Sequence, residues 1–455
     1  MGLRRISEFG IRFSESRLAR GRCYLCLILL VFVFPGHLVA EETDAPPKAP
    51  FDYVWAKAYH VLPGTHSDSG YFSLVEGIDG KMYIGTTQYG VNSHLVEFDP
   101  KTEEQRSVLN THEVCGLGTT THNSAQSKIH SRNFVGPSGK VYFGSMHGGA
   151  KEEDKSVYPG GYAMTYDPKT EESECLGMPV PGESIIDVVA DEKRGIIYAV
   201  SIGSSRAWLR YDVASREYTT IGPQAIHFTT TLVDSRGCAS IVTKDFQLAQ
   251  YNPETGKVTE RDIVVDGEKL EPKSLTKPPQ PEPVPIWDIA KDGRTAYLIL
   301  MSDPTLYAID LLSEGNAVKA VSHGKMIEGE GHDSRSALDI GPDGSVYAAI
   351  RVDNDTGFGG HYLHHICRFD PSKGKMEDLG VLAVKNQNYY FDSTGADPKT
   401  HKRRNGRIYY GYHTLPDGTL TPLYSHMALI AGQDGSIYVT ILYPFALLKI
   451  DPIPG

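Results

Sequence analysis

The sequence predicts an all-β protein, a seven-bladed β-propeller with four-stranded antiparallel blades. One unit recurs seven times: an alternating apolar strand, a glycine turn, a strand that opens near an aromatic residue, and an aromatic-Asp-Pro-like ending. Alternation with a period of two makes strands, and Asp-Gly or Ser-Gly pairs permit tight hairpins. No long amphipathic helical period interrupts this pattern. Seven units of about four strands each are the content of a closed propeller ring.

Each repeat has a recognisable turn and a recognisable closing strand. The turns with their following strands are DGKMYIG (79–85), SGKVYFG (138–144), RGIIYAV (194–200), RGCASIV (236–242), DGRTAYL (292–298), DGSVYAA (343–349) and DGSIYVT (434–440). The closing segments are LVEFDPKT (95–102), AMTYDPKT (163–170), WLRYDVAS (208–215), LAQYNPET (248–255), LYAIDLLS (306–313), ICRFDPSK (366–373) and LLKIDP (447–452).

The ring needs a seam, and the N-terminal segment YVWAKAYHVL (53–62) has the composition of a strand. Blade seven ends at Pro452 with almost no chain left for an outer strand. We therefore predict that residues 53–62 pair into the last blade, so that the ring is closed by an N-terminal strand and has no exposed edge. The alternative is a loose N-terminal arm.

The first 40 residues are interpreted as a signal peptide, and residues 41–455 as a single propeller domain. Six arginines precede the apolar run CYLCLILLVFVF (23–34), and Leu38-Val39-Ala40 offers a small-residue cleavage site. The apolar run is short for a membrane span, although a membrane anchor is the alternative. The expectation is a secreted or periplasmic protein with no stable membrane insertion after signal cleavage.

Charge and cysteine content narrow the class further. Removal of six Arg and two Glu with residues 1–40 changes the net charge from −11 to −15. Such acidity argues against nucleic acid as a partner, because phosphate binding needs a basic surface. Four scattered cysteines remain, with no metal-binding spacing: Cys115, Cys175, Cys238 and Cys367. They are either disulfide partners, whose pairing the sequence leaves open, or buried free thiols.

Two insertions interrupt the repeat. Residues 266–285 are proline-rich and polar, which is typical of an extended surface linker. Residues 381–425 contain the basic run KTHKRRNGR (399–407). This run is either a solvated loop or a contact for an anionic substrate, since long insertions often form the rim of a site.

The hairpin HSRNFVGPSGKVYFGSMHGG (130–149) carries a histidine near each open end. A turn centred on Ser138 places His130 opposite Met146, with His147 next along the strand. The same rule, applied to every blade, collects basic and aromatic side chains on one face of the disc. Those residues are Gln88, Tyr89, Arg132, Arg206, His227, Lys244, Trp287, Asp303, Arg335, Arg351, His426 and Tyr443, with His332 nearby.

Imidazoles, guanidinium groups and phenols on one face suit β-elimination at a uronic acid. Arginine binds the carboxylate, one His or Tyr removes the neighbouring proton, and another protonates the leaving oxygen. No nucleotide cofactor is required, since the chain has no Gly-rich phosphate loop and no GxSxG motif. A divalent metal stays open as an alternative, and the segment GGHYLHH (359–365) offers His361 as one ligand.

In this pattern the chain resembles the secreted seven-bladed β-propeller polysaccharide lyases of the ulvan lyase and rhamnose–glucuronate lyase type. The resemblance implies His130 and His147 as the catalytic pair and Arg206, or Arg210 in its place, as the catalytic arginine. It implies Tyr162 or Tyr198 as the tyrosine, and Tyr198 opens a strand near the other face of the disc. In overall architecture the resemblance covers the whole chain after residue 40. In catalytic residues it covers only the positions named here.

The function expected is therefore a secreted carbohydrate-active propeller, a candidate lyase for uronate-containing polysaccharide. Its substrate-binding residues would be Arg132, His227, Arg335, Arg351, His426 and Tyr443. The expected partner is an anionic polysaccharide or oligosaccharide, and the expected state is a monomer. The alternative is a non-catalytic propeller that binds a glycan or a protein through the same face. A metal-dependent hydrolase is a third reading, for which Asp303 is the one carboxylate at a hairpin mouth.

Overall fold

The structure is a computed structural model that describes residues 45–62, 69–88, 90–118, 124–148, 158–272, 282–360, 362–385, 412–422, 426–442 and 445–453. These residues form 32 strands and one helix of four residues, which confirms the all-β class. Several sequence predictions lie outside the described residues: the signal peptide, Tyr89, His361, Tyr443 and the basic run 399–407.

The elements in chain order are β1 (Tyr53–His60), β2 (Ser69–Glu76), β3 (Met82–Thr87), β4 (His94–Phe98), β5 (Gln105–Asn110), α1 (Thr111–Val114), β6 (Lys128–Ile129), β7 (Phe134–Val135), β8 (Val141–Met146), β9 (Ala163–Asp167), β10 (Glu172–Gly177), β11 (Ser184–Asp191), β12 (Ile196–Ile202), β13 (Trp208–Asp212), β14 (Glu217–Thr220), β15 (Leu232–Val233), β16 (Ala239–Val242), β17 (Gln247–Asn252), β18 (Lys257–Val265), β19 (Glu268–Lys269), β20 (Pro285–Ile289), β21 (Thr295–Leu300), β22 (Asp303–Asp310), β23 (Ala317–Lys325), β24 (Leu338–Ile340), β25 (Val346–Asp353), β26 (Tyr362–Asp370), β27 (Lys375–Val384), β28 (Tyr412–Thr414), β29 (Leu420–Pro422), β30 (His426–Ala431), β31 (Ile437–Ile441) and β32 (Ala446–Ile450).

Most consecutive strands pair antiparallel, as the alternating pattern predicts. The simplest sheet is the meander β11-β12-β13-β14. A nine-stranded sheet has the order β10-β9-β8-β6-β3-β4-β5, with β2 paired to β3 and β7 to β8. A second nine-stranded sheet has the order β15-β16-β17-β18-β23-β22-β21-β20, with β19 paired to β18. The ten-stranded sheet has the order β24-β25-β26-β27-β1-β32-β31-β30, with β29 paired to β27 and β28 paired to β29.

The glycine of each predicted turn adopts a backbone conformation that favours glycine. Gly80, Gly139, Gly195, Gly237, Gly293, Gly344 and Gly435 all have φ between 62° and 94°. An L side chain at such an angle is strained, so each of these turns requires glycine, and this requirement explains why the glycine recurs in every repeat. The closing segments of the repeat likewise all form strands: β4, β9, β13, β17, β22, β26 and β32.

The N-terminal strand joins the end of the chain, as predicted. β1 pairs antiparallel with β32, from Ala56 opposite Ile450 to His60 opposite Ala446. On its other side it pairs parallel with β27, where Tyr53 lies opposite Val381. Residues 381–384 are therefore the end of a strand rather than part of an insertion. Both edges of β1 are covered, so this seam presents no free edge in the described residues.

The first and last sheets also pack on each other. One apolar cluster contains Leu74, Ile84 and Phe98 of the early strands together with Tyr438 and Leu447 of the late strands. A larger cluster runs through the middle of the chain, from Ile186 to Leu338 and on to Met427. Burial of these side chains stabilises the contact between neighbouring sheets.

A central cavity of about 510 Å³ is surrounded by seven segments of the chain. These segments belong to or adjoin β2, β7, β11, β15, β20, β24 and β30, which is the first strand after each connection between repeats. These strands present one end at the glycine turns and the other end at the candidate site described below.

Candidate functional site

The hairpin that carries His130 and His147 has a break in its register. Val135 lies opposite Val141, as a turn centred on Ser138 requires. Further from the turn, however, Lys128 rather than His130 lies opposite Met146. The predicted pairing of His130 with Met146 is therefore wrong, by two residues.

The reason is a contact with the neighbouring sheet. At Arg132 the chain leaves β8 and forms a parallel bridge with Asp187 of β11. The Arg132 amide donates a hydrogen bond to the Ile186 carbonyl at 3.2 Å. On the other side of the break, Lys128 of β6 pairs with both Thr87 and Met146, and so joins β3 to β8. His130 occupies the bend between these two attachments, where its ring points into the packed interior.

His130 is buried between two phenyl rings and is 4% exposed. Its ring stacks on Phe72 with centroids 4.7 Å apart and meets the edge of Phe228 at 5.7 Å. Burial lowers the pKa of His130 well below 6.5, and the positive charges of Lys128 and Arg335 lower it further. The imidazole is consequently uncharged at neutral pH.

His147 lies at the end of β8 and is partly exposed. Its backbone N–H donates to Ser184 Oγ at 3.4 Å. Its ring meets the edge of Tyr158 with centroids 5.1 Å apart. The charge of His147 also lowers the pKa of His130, as the smallest of its named causes.

Tyr158 is the tyrosine that the structure brings to this histidine pair, and the sequence analysis missed it. Its hydroxyl donates to Gln126 Oε1 at 3.2 Å, and the same oxygen accepts a hydrogen bond from Ser145 Oγ at 2.7 Å. Burial raises the pKa of Tyr158, so the phenol stays protonated. The segment Tyr-Pro-Gly-Gly lacks the alternation of a strand, and the sequence therefore predicts only a turn at this position.

The two tyrosines named from the sequence lie elsewhere. Tyr162 is close to Cys115 and Cys175, whose charges raise its pKa in addition to burial. Tyr198 is fully buried in β12 and meets the edge of Tyr251 at 6.2 Å. Trp287 is also a core residue, 1% exposed, with its indole N–H donating to the Thr230 carbonyl at 3.1 Å.

Arg206 and His227 form a second group at this end of the protein. The Arg206 guanidinium forms an ion pair with Glu282. Burial lowers the pKa of His227, and the charge of Arg206 lowers it further. Arg210, the substitute for Arg206, lies in β13 opposite Tyr198.

Arg335, Arg351 and His426 form a third group around Asp333. Asp333 forms ion pairs with both arginines: its Oδ2 lies 3.0 Å from Nη2 of Arg335 and 3.1 Å from Nη2 of Arg351. The guanidinium of Arg351 also lies 4.4 Å from the ring centroid of Tyr362. His426 is fully buried, and its Nδ1 lies 2.9 Å from Nδ1 of His364. Of the ten predicted site residues, all but Tyr443 are described; eight of these nine fall into the groups above or line the central cavity, and Tyr162 does neither.

Three residues at this end have strained backbones. Arg206, Phe228 and Arg335 have φ of 44°, 57° and 45°. A bulky L residue in the left-handed region costs on the order of 1–3 kcal/mol, and such strain is concentrated at functional sites. Phe228 contacts His130, and Arg335 acts on its charge, so two of the three strained residues surround the same imidazole.

Arg132 differs from the other predicted substrate-binding residues. Its guanidinium lines the central cavity on one side and a small void beside Phe72, Phe228 and Arg335 on the other. It forms an ion pair with Asp288, Nη2 to Oδ2 at 3.0 Å, and donates from Nη1 to the Trp287 carbonyl at 2.6 Å. Arg132 therefore closes the inner end of the cavity.

Within the described part of the chain, no three His, Cys, Asp or Glu side chains are grouped so as to hold a metal ion. Its one helix is far too short to cross a membrane.

Comparisons with known proteins give likeness in structure alone. No family model and no curated protein matches the chain. Extracellular domains of two hybrid two-component systems from B. thetaiotaomicron are similar over 87% and 88% of the chain, with 9% and 13% identity and TM-scores of 0.48 and 0.46. The chain spans only 40% and 41% of those two proteins.

A third structure is the β-propeller domain of Cps50 (Swd1) from Myceliophteria thermophila. It is similar over 87% of this chain and 99% of that domain, with 9% identity and a TM-score of 0.49. Structural similarity of this degree gives no information about activity.

Proposed function

We propose that the chain is a secreted seven-bladed β-propeller with polysaccharide lyase activity on uronate-containing polysaccharide. The seven glycine turns and the seven segments around one cavity support the number of blades. The acidic net charge after loss of residues 1–40 disfavours nucleic acid as the polymer bound.

One observation carries the proposed activity: the charges of Lys128, Arg335 and His147 all act on buried His130 and lower its pKa, which supports a common site for the four side chains. A base must be uncharged to accept a proton, and a nearby guanidinium stabilises the carboxylate and the negative charge that develops on it. His130 meets the first requirement but is closed to solvent, so we assign the role of base to the more exposed His147 and the role of the guanidinium to Arg335.

In the proposed reaction Arg335 binds the uronate carboxylate. His147, the more exposed imidazole, removes the proton at the carbon next to that carboxylate. The C–H electron pair becomes the new C=C bond as the bond to the glycosidic oxygen breaks. The imidazolium of His147 then returns the proton to the leaving oxygen. His130 and Tyr158 hold the ring of His147 in a fixed, partly dehydrated environment.

The test is the ultraviolet absorbance of the unsaturated uronate product, measured with purified protein and ulvan as substrate. We expect the wild type to form product and His147→Ala to lose at least 100-fold in rate, a factor of the size typical for removal of a general base. His365→Asn serves as the matched control, because His365 pairs with Asp378 on β26 and β27, away from the site.

Full activity in both His147→Ala and His130→Ala would falsify the proposal. Binding of the polysaccharide without product would favour the non-catalytic alternative, in which packing between Phe72 and Phe228 is the whole role of His130. Unfolding midpoints of all variants show whether a loss of rate is a loss of structure.

A further inference from the structure

The central cavity has the form of a small-molecule site. Its volume of about 510 Å³ falls in the range of about 300–1,000 Å³ that is typical of ligand pockets. The walls are apolar and come from Val75, Phe134, Val189, Leu232 and Ile340. Gly77, Ile78 and Gln433 line the outer end, at the glycine turns. The cavity is thus at the opposite end of the inner strands from His130, and it is independent of the proposed lyase site.

The polar groups in this cavity carry more negative than positive charge. Asp187, Asp288, Asp339 and Glu76 contribute four carboxyl groups, whereas Arg132 contributes the one guanidinium among the lining residues. Arg132 is already paired with Asp288 at 3.0 Å. Three carboxyl groups therefore line the cavity without an ion pair to a cation in the described part of the protein.

Asp187 has an unused acceptor. The residue is fully buried, and its Oδ2 accepts a hydrogen bond from the Thr231 amide at 2.7 Å. Its Oδ1 has no hydrogen-bond partner among the described residues. A buried carboxyl oxygen without a donor is costly, so it indicates a group that completes the site.

The other two carboxyl groups each accept a backbone hydrogen bond, and Asp339 also shares a hydrogen bond with Asp288. Asp339 Oδ2 accepts from the Ala431 amide at 2.8 Å, and Glu76 Oε2 from the Gln433 amide at 2.8 Å. Burial raises the pKa of Asp187 to about 7, and burial together with Asp288 raises that of Asp339 well above its usual value. Burial raises the pKa of Glu76 as well. Each shift is the signature of a carboxyl group that lacks a compensating cation.

We propose that this cavity binds a small organic cation, a primary ammonium carried on an apolar body, with the ammonium held by the partly exposed carboxyl groups of Asp339 and Glu76 in the field of buried Asp187. The excess of carboxyl groups selects positive charge, and the apolar walls select the body. A single metal ion fits less well, because the described carboxyl groups are not grouped as metal ligands and the cavity is many times the volume of one ion. An anion would face unpaired carboxylates.

Titration calorimetry with benzylammonium and, as a neutral molecule of the same shape, benzyl alcohol tests the proposal on the wild-type protein. We expect benzylammonium to bind at least tenfold more tightly than benzyl alcohol at about pH 8, a difference of about 1.4 kcal/mol. Its affinity falls at about pH 6, below the pKa of about 7 of Asp187, which faces Arg132, Asp288, Asp339 and Glu76 across the cavity. Equal affinity of the two probes, or binding of neither, overturns the proposal.

Asp187→Asn locates the site within the cavity. It keeps the shape and the acceptor for Thr231 but removes the charge, so we expect at least a tenfold loss of benzylammonium affinity and no change for benzyl alcohol. Asp245→Asn, an exposed carboxylate remote from the lining residues, is the matched control. Unchanged affinity in a folded Asp187→Asn variant contradicts the assignment. The comparison of the two probes needs no variant and stays decisive if this one does not fold, and neither result depends on lyase activity.

Discussion

The Nδ1 atoms of His364 and His426 lie 2.9 Å apart, and both imidazoles are closed to solvent. One ring donates its N–H and the other accepts, so the accepting ring is uncharged and the two tautomers are fixed relative to each other. The pair joins β26 to β30 next to Asp333, Arg335 and Arg351, which makes it sensitive to protonation.

Acid should destabilise the protein through His426. Burial lowers the pKa of His426 from 6.5 to about 4, with Asp333 opposing that shift and Arg351 and Arg335 adding to it. The unfolded chain therefore binds a proton first, and stability falls as the pH drops from about 6.5 to about 4, by about 3 kcal/mol at most. Urea unfolding at several pH values measures this slope, and His426→Gln should flatten it. A slope equal to that of wild type would show that His426 is protonated in the folded state.

Asp187 should give the opposite dependence. Its folded pKa of about 7 lies above the ordinary value of 3.8, because burial outweighs the Thr231 hydrogen bond and the charge of Arg132. The unfolded chain ionises first, so this carboxyl group costs stability as the pH rises from about 4 to about 7.

Asp187→Asn removes that cost, and we expect it to be more stable than wild type at about pH 8 by up to about 4 kcal/mol, with little difference at about pH 4. Guanidinium unfolding at both pH values measures the difference, and Asp245→Asn controls for loss of a surface charge. Equal stability of variant and wild type at both pH values would mean that Asp187 is not buried as a carboxylic acid.

Cys115 and Cys175 are free thiols that lie in contact, and the sequence left their pairing open. Their hydrogen bond lowers the pKa of Cys175 to about 7 and raises that of Cys115. A thiolate beside a thiol is ready for disulfide exchange. With oxidised glutathione, we expect the Cys175 thiolate to form a mixed disulfide that Cys115 resolves, leaving one protein disulfide and two reduced glutathione molecules.

Peptide mapping by mass spectrometry detects that cross-link, which closes a loop of about 60 residues and should raise stability by about 2–4 kcal/mol. Cys175→Ser should lack both the cross-link and the gain. Cys238 and Cys367, buried and with raised pKa values, should stay reduced and serve as internal controls. A cross-link to either of these two would contradict the assignment.

The sequence predicts the elements of this fold well because its signals are local. Glycine at Gly344 or Gly435 fixes a turn, and the alternation on either side fixes two strands. The break at His130 could not be predicted in this way. It depends on the bridge between Arg132 and Asp187, which joins residues 55 positions apart through the packing of two sheets.

A signal for the central cavity is present in the sequence but is easily overlooked. Asp187, Asp288 and Asp339 each stand inside an otherwise apolar inner strand, in IIDVV, IWDIA and ALDIG. A carboxyl group at such a position is costly and therefore indicates a role beyond packing. Histidine and arginine at the hairpin mouths give the stronger sequence signal for acid–base chemistry, and they do not point to these three aspartates.

The seam between the two ends of the chain can be tested at two neighbouring residues of β1. Ala56 is fully buried between Val384 and Ile450, whereas Lys57 points outward and pairs with Glu103 at the surface. Alternation along the strand puts these neighbours on opposite faces.

Ala56→Asp buries an unpaired carboxylate, and we expect the free energy of unfolding to fall by about 3–5 kcal/mol. Lys57→Asp removes an exposed ion pair and puts a second carboxylate near Glu103, and at such an exposed position we expect a cost of about 0–1 kcal/mol. Guanidinium unfolding of both variants measures the difference. If the two variants were equally stable, β1 would be a dispensable arm, and the closure of the protein would depend on the packing of the first sheet against the last.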